Sequence, residues 1–247
     1  MQTDTVLQGD CLELMPEIPD GAVDMILCDL PYGITARNRW DSVIPPEPLW
    51  REYRRIVKED GAIVLTAQGA FSAMMIMAAR DIYRYSLVWR KNKPRGFLNA
   101  NRQPLRVHED ILVFYGRQPV FHPQKTTGHD PVHSYTKHSS DGDNYGETKV
   151  GWVGGGSTER YPTSVIEIAV VNNEHPKKMH PTQKPVELGE WLINTYTNSG
   201  DLVLDNACGS GSFLVAAKRL GRRFLGMEKD EGFREFARDR VAGEMPD

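Results

Sequence analysis

The sequence predicts an α/β fold: a doubly wound, mostly parallel sheet whose strand order is circularly permuted and which carries one long insert. Three observations lead there. Short apolar runs alternate with helical stretches, the pattern of strands joined by helices. Two of the runs end in a carboxylate: Val23 to Cys28 runs into Asp29, and Leu202 to Leu204 into Asp205. The second leads into a glycine loop, Gly209-Ser210-Gly211, that opens a helix. In open α/β sheets ligands gather outside the carboxyl ends of the strands, so these ends mark a binding crevice. A length of 247 residues with 40% hydrophobic composition suits one domain with an insert.

Taken in order, Thr3 to Gln8 reads as a short strand ending at Gly9-Asp10-Cys11, with Leu12, Met15 and Ile18 next at near-helical spacing. Asp10 thus sits at a strand end, where an aspartate also serves as a helix N-cap. The turn Asp20-Gly21 enters the strand that runs to Leu30. The end of that strand is unusual for a strand-to-helix junction. Asp29-Leu30-Pro31-Tyr32 offers a carboxylate, a carbonyl at Leu30 freed from helical pairing by the adjoining proline, and an aromatic ring. Together they suit an exocyclic amine on a stacked base.

Beyond Trp40-Asp41, three prolines precede a helix over Leu49–Lys58, and Ala62–Thr66 is a buried strand. Phe71–Ala79 is helical and apolar on every side except Ser72, which suggests a homodimer face. Strands at Tyr83–Trp89 and Asp110–Tyr115 flank a loop that holds no acid before Glu109 but holds Arg90, Lys91, Lys93, Arg95, Arg102 and Arg106. From about 116 to 161 periodicity dissolves into Gly, Pro, Ser, Thr and His, and residues 117–162 are expected to form the insert. Its histidines, with His122, His129, His133 and His138 broken up by Gly128 and Pro131, do not predict a metal site. The sheet resumes at Val165–Val171, and His180-Pro181-Thr182-Gln183-Lys184-Pro185 opens a helix with Leu188, Trp191, Leu192 and Tyr196 inward.

The loop Asn206-Ala207-Cys208-Gly209-Ser210-Gly211-Ser212 comes directly after its strand, and Glu228 closes the next strand seventeen residues after Gly211. An acid about twenty residues after such a loop is placed for ribose hydroxyls. Leu214 stands where a dinucleotide loop has its third glycine, which disfavours a pyrophosphate cofactor and a nicotinamide oxidoreductase. A nucleotide half needs further strands after the ribose acid, yet only one helix remains. The N-terminal strands supply them, hence the permutation, which is cheap where termini lie close together.

These marks resemble the β class of DNA amino-methyltransferases, in which an Asp-Pro-Pro-Tyr element precedes a target-recognition region and the glycine loop comes after it. The resemblance covers roughly residues 4–115 and 163–240 and rests on Gly9-Asp10-Cys11, Asp29-Leu30-Pro31-Tyr32, Trp40-Asp41, the His180 to Pro185 segment and Asp205 to Ser212. Leu30 replaces the first proline of the motif, and Asn206, Ala207 and Ser212 depart from the family's Asp-Pro-Phe-x-Gly-Ser-Gly-Thr loop. It implies a Rossmann-like sheet of the S-adenosylmethionine-dependent methyltransferase type, with the insert as target-recognition region, and a transfer from S-adenosylmethionine to the N6 amine of an adenine flipped out of duplex DNA.

By that resemblance Asp29, Leu30, Pro31 and Tyr32 are catalytic. Asp10, Asp29, Thr182, Lys184, Asp205, Asn206, Ala207, Gly209, Ser210, Gly211, Ser212 and Glu228 hold the cofactor, with Glu228 on the ribose, Asp10 on the adenine amine, and Lys184 with the loop amides near the methionine end. Arg37, Arg39, Lys91, Lys93, Arg95 and Arg102 are the expected DNA contacts. N4-cytosine stands as an alternative target. A release-factor type of glutamine methyltransferase places its glycine loop before the acceptor motif, and a non-catalytic DNA-binding module would not need Asp29, Tyr32, Lys184 and Glu228 intact. A net charge of −3 argues against a uniformly basic nucleic-acid binder. Cys11, Cys28 and Cys208 have no paired spacing, so neither disulfide nor zinc is expected. The longest apolar run, Ala73 to Ala79, falls far short of a membrane span, and a cytoplasmic protein is expected.

Overall fold

The computed structural model describes residues 2–33, 42–136, 151, 153–171 and 183–243. The chain divides into two compact units, one formed by residues 1–122 and 164–247 and the other by Pro123–Thr163. The first is built on an eight-stranded sheet. Its strands are β1 (Thr5–Gln8), β2 (Val23–Cys28), β3 (Val57–Ala67), β4 (Tyr83–Arg95), β5 (Arg106–Phe114), β8 (Val165–Glu167), β9 (Leu202–Asp205) and β10 (Arg223–Glu228). In the second unit β6 (Tyr135–Thr136) pairs antiparallel with β7 (Val153–Gly154). There Lys125 Nζ donates to Glu159 at 2.8 Å and lies 4.9 Å from the centre of the Tyr161 ring.

Spatial order in the large sheet is β1-β10-β9-β2-β3-β5-β4-β8. The strands from β1 to β3 are parallel, β5 is antiparallel to both neighbours, and β8 is parallel to β4. Numbered from β9, the first five strands read 3-2-1-4-5, the doubly wound order. The first three places are filled by β9, β10 and then β1 from the other end of the chain. β1 seals this join: Asp4 N donates to Phe224 O at 2.7 Å and Gly9 N to Glu228 O at 2.9 Å.

Helices cover both faces. On one lie α4 (Val186–Tyr196), α5 (Ser212–Arg219) and α6 (Glu231–Ala242), packed on Met25, Leu27, Val64, Trp89, Ile111, Val113 and Val203. On the other lie α1 (Cys11–Leu14), α2 (Pro46–Ile56) and α3 (Ala70–Ala78), packed on Ile26, Cys28, Ile63, Leu65, Leu112 and Leu204. A stretch buried on both sides must be apolar, which is why residues 25–28 of β2, 62–65 of β3 and 202–204 of β9 read as continuous apolar runs. Local signals set the helix ends: α6 is capped by Asp230, whose side chain accepts from Phe233 N, and closes at Gly243 with φ 89°. Among the described residues no helix is long and apolar enough to cross a membrane, no group of three or more His, Cys, Asp or Glu is placed to hold a metal ion, and all three cysteines are buried thiols.

Two expectations change. Between Trp89 and Asp110 the sequence suggests a loop, but β4 continues to Arg95 and β5 begins at Arg106, so the basic stretch forms two arms of a hairpin. Cross-strand bonding holds these polar residues extended where no apolar alternation signals it. And α3 is not equally covered: Phe71, Ser72, Met75 and Ala79 face the core, while Met77 is 67% exposed.

The approach of α4 to α5 depends on Gly189. A Cβ there would stand 2.8 Å from Phe213 Cδ1 and 2.9 Å from Ala216 Cβ. Gly189→Ala should therefore destabilise the protein by about 1–3 kcal/mol, since helix propensity favours alanine by only about 1 kcal/mol and overpacking outweighs it. Urea unfolding at equilibrium measures the difference; a more stable variant would show that the two helices separate freely.

Candidate active site

Every strand that contributes to the site ends at one edge of the sheet, and the side chains that matter continue one of its faces. Met25 and Leu27 lead in phase to Asp29, Ala62 and Val64 to Thr66, and Leu87 and Trp89 to Lys91. On the antiparallel strand Val113 and Ile111 lead back to Glu109. The apolar rows thus give way to a polar patch as they leave the core. A cleft of about 1170 Å³ opens over this edge, lined from Gly9–Leu12 and Glu228–Asp230 at one end to Trp89, Lys91, Arg95 and Arg106 at the other.

At the nucleotide end, β9 runs into a loop whose turns need left-handed backbone at Gly209 (φ 49°) and Gly211 (φ 74°). Close packing enforces the second glycine, since a Cβ at Gly211 would meet Ala237 Cβ at 3.0 Å. Glu228 braces the loop: its Oε2 accepts from Gly209 N at 2.8 Å and its Oε1 from Asp230 N at 2.9 Å. Burial holds its carboxyl above the usual range despite these bonds. Gly211 N donates to Cys208 O at 2.7 Å. The amides of Gly209 and Gly211, expected to face a cofactor, are therefore turned inward, and the glycines contribute clearance instead. Buried Arg240 fixes the loop from beneath, donating to Ser210 O at 3.0 Å and Ser212 Oγ at 2.9 Å.

Asn206 and Ala207 continue this wall. Asn206 Oδ1 accepts from Tyr53 OH at 2.6 Å, while its Nδ2 is buried with no partner among the described residues. Asp10 caps α1, accepting from Leu12 N at 3.0 Å, and pairs with Lys229 at 3.1 Å. Partial burial works to raise its carboxyl, but the Leu12 amide and the Lys229 ammonium hold it below the usual value.

At the other end lies a cluster of four charges. Asp29 Oδ1 accepts from Tyr32 OH at 2.8 Å and from Thr66 Oγ1 at 2.5 Å, and its Oδ2 accepts from Lys184 Nζ at 2.7 Å. Lys184, 7% exposed, also lies 3.2 Å from Glu109 Oε2, and Glu109 is paired with Lys91. Burial alone would lower the Lys184 ammonium, but Asp29 and Glu109 overcome it and raise it. Burial would raise the Glu109 carboxyl, but Lys184 and Lys91 hold it low. Burial, then Asp29 and Glu109, push the Tyr32 phenol well up, so it stays a neutral donor. The Leu30 carbonyl makes no hydrogen bond among the described residues.

Several sequence expectations are redistributed here. Lys91, expected on a phosphate, is mostly buried against Glu109, with its Nζ 4.8 Å from the centre of the Trp89 ring. Lys184, expected near a cofactor, lines the cleft and pairs with Asp29 and Glu109. Tyr32, expected to stack on a base, has its ring 5.0 Å from Phe71 and its hydroxyl on Asp29. Arg95 lines the cleft, and Lys93 and Arg102 are exposed on the hairpin. Arg37, Arg39, Trp40, Asp41, His138, His180, Pro181 and Thr182 lie outside the described residues. Sequence reasoning does not single out Thr66, Glu109, Tyr53 or Arg240. Glu109 carries a signal all the same, a carboxylate in phase with Ile111 and Val113.

A doubly wound sheet, with a glycine loop and an acid at one end of its cleft and a paired carboxylate beside a tyrosine at the other, defines a nucleotide-cofactor enzyme with a polar acceptor site. The chain belongs to the DNA methylase family of the N6/N4 class, whose family model matches residues 23–239. It is 28% identical over 243 residues to YubD of Escherichia coli (strain K12), a protein named as a methylase, across 96% of this chain and 89% of that one. The structure of the M1.HpyAVI–SAM complex superposes with TM-score 0.65 at 21% identity, over 96% of this chain and 98% of that one. PvuII DNA methyltransferase, cytosine-N4-specific, superposes with TM-score 0.67 at 13% identity, over 98% and 91%. At these identities the two structures speak for the fold, the permuted sheet expected from the sequence.

Asp205 provides a test of the nucleotide wall. Burial raises its carboxyl to about 7. The unfolded chain releases that proton near pH 4, so the stability it confers is full below about pH 4 and is lost as pH rises through about 7. Asp205→Asn, neutral throughout, should lack this slope. Between pH 5 and pH 8 the wild type should lose roughly 2–3 kcal/mol relative to the variant in denaturant unfolding without cofactor; parallel pH profiles would show that Asp205 ionises normally.

Proposed function

We propose that this DNA methylase transfers a methyl group from S-adenosylmethionine to the N6 amine of an adenine flipped out of duplex DNA. The observation that carries the reading is the Asp29 carboxylate lining the cleft, bonded to Tyr32 and next to a Leu30 carbonyl that has no partner among the described residues. The nucleotide end fits the cofactor: the orphaned Asn206 Nδ2 is a donor in want of an acceptor, Glu228 keeps lone pairs for ribose hydroxyls, and Asp10 is held ionised to accept from an adenine amine. When bound, S-adenosylmethionine supplies an electrophilic methyl on a sulfonium. Asp205, Ala207, Ser210 and Ser212 shape the wall around it, and Gly209 and Gly211 give the clearance; Thr182, outside the described residues, is proposed to join them.

The chain's own groups do the rest by position and charge. An incoming amine takes the place of Lys184 at Asp29 Oδ2 and donates its second hydrogen to the Leu30 carbonyl, which draws the nitrogen lone pair out of the ring. The displaced ammonium already lies 3.2 Å from Glu109 and moves onto it without losing a counter-charge. Tyr32, released from Asp29, turns its ring to the base, and Pro31 stiffens the turn. A carboxylate at position 29 favours adenine; N4-cytosine remains the second reading because the PvuII enzyme, which shares the fold, is cytosine-N4-specific. Residues 123–163 are proposed to read the target sequence, with Lys93, Arg95, Arg102, Arg37 and Arg39 on phosphates. A DNA substrate also fits the cytoplasmic location.

Sequencing the DNA of cells that express the protein will map the modified site, and nucleoside analysis after reaction with tritiated cofactor identifies the base. Asp29→Ala should abolish transfer while the folded variant still binds DNA. Methyl on cytosine would overturn the adenine assignment, and a wild type that binds both ligands but modifies neither base would overturn the reading as a whole. The exposed side of α3 with Met77 is proposed to meet a second copy of the chain. The mass in solution at micromolar concentration should be that of a dimer, and a monomer mass would overturn this.

A further inference from the structure

The hairpin that walls the cleft carries, at its tip, two large apolar side chains that no described residue covers. Leu98 is 101% exposed and Phe97 66% exposed. They are not on a loose end. The chain turns at Gly96 (φ 91°), and the tip is tied by its own backbone bonds: Asn99 N to Gly96 O at 2.9 Å, Ala100 N to Phe97 O at 3.1 Å and Arg102 N to Asn99 O at 2.8 Å. Isolated exposed leucines are ordinary on protein surfaces. An adjacent pair on a structured tip, just beyond the cleft-lining Arg95, is not.

The surroundings select the partner. From Arg90 to His108 the hairpin contains no acidic residue. Arg95 and Arg106 stand opposite each other across the two strands, and both line the cleft. Like charges face to face repel unless an anion lies between or above them. An apolar tip rimmed by cations fits the edge of a nucleic-acid duplex, where phosphates meet the rim and a side chain enters between stacked bases.

We propose that Phe97 and Leu98 form a wedge that enters the base stack of duplex DNA and holds open the place vacated by the target nucleotide, while Arg95 and Arg106 hold the backbone beside it. The inference rests on the base-flipping reading of the active site and adds to it the residues that meet the duplex. The test uses the full chain with Phe97→Ala and Leu98→Ala combined, and short duplexes carrying the mapped site. In one duplex the target base is normally paired; in the other it faces an abasic position, so little stacking or pairing opposes its exit. On the paired duplex the variant should show about tenfold lower kcat/KM and a weaker fluorescence rise from 2-aminopurine at the target position. On the abasic duplex its deficit should shrink to roughly twofold, and the salt slope of DNA binding should match the wild type, because the phosphate contacts remain. An equal deficit on both duplexes, or none on either, would overturn the wedge. So would a variant that flips normally but no longer self-associates, which would make the tip a protein contact. A wild type inactive on both duplexes would instead overturn the methyl-transfer reading beneath it.

Discussion

Four charges in a row hold the acceptor end of this protein together: Asp29, Lys184, Glu109 and Lys91. Each of them is largely withdrawn from water, and each alone would shift toward neutrality or drive the site open. Along the row they alternate in sign, so every charge has an opposite one within bonding distance. Removing one partner of such a pair strands the other, at a cost of roughly 3–5 kcal/mol. The cluster therefore ties together four separate elements: the end of β2, the approach to α4, the start of β5 and the outer part of β4. It also keeps Asp29 occupied by the Lys184 ammonium.

The nucleotide end is built on the opposite principle. Here the loop after β9 uses its own amides internally, with Glu228 on Gly209 and Cys208 on Gly211, and Arg240 clamps it from below. The result is a stiff wall offering shape, one orphan donor at Asn206 and the carboxylates of Asp10 and Glu228. Asp205, buried in this wall with its carboxyl raised to about 7, adds less charge there than an ordinary aspartate. Two ends of one cleft thus divide the work, the nucleotide end holding by fit and the acceptor end by balanced charge.

The two ends share a sheet edge because the strands that carry them are parallel neighbours. β1, from the other end of the chain, pairs with β10, and the acceptor strand β2 lies directly beside the glycine-loop strand β9. In the doubly wound order this is where the strand sequence reverses, the place where such sheets bind their ligands. The antiparallel β5 then returns its beginning to the same edge, so the arms of its hairpin with β4 become a wall of the cleft.

The sequence by itself determined the sheet, its permuted order, the glycine loop and the Asp29 to Tyr32 element, because each is written locally: apolar runs of strand length, glycines where φ must be positive, a proline that forbids helix. Tertiary structure alone decided the partners. Lys91 reads as one cation of a basic run, and nothing within it says that a strand will carry it inward to meet Glu109. Lys184 and Asp29 are 155 residues apart and meet only because the segment before α4 enters the face that β2 presents. Local propensity and periodicity describe what a residue does to its own backbone; ion pairing depends on which distant strands the core brings side by side, and that is settled when the whole sheet closes.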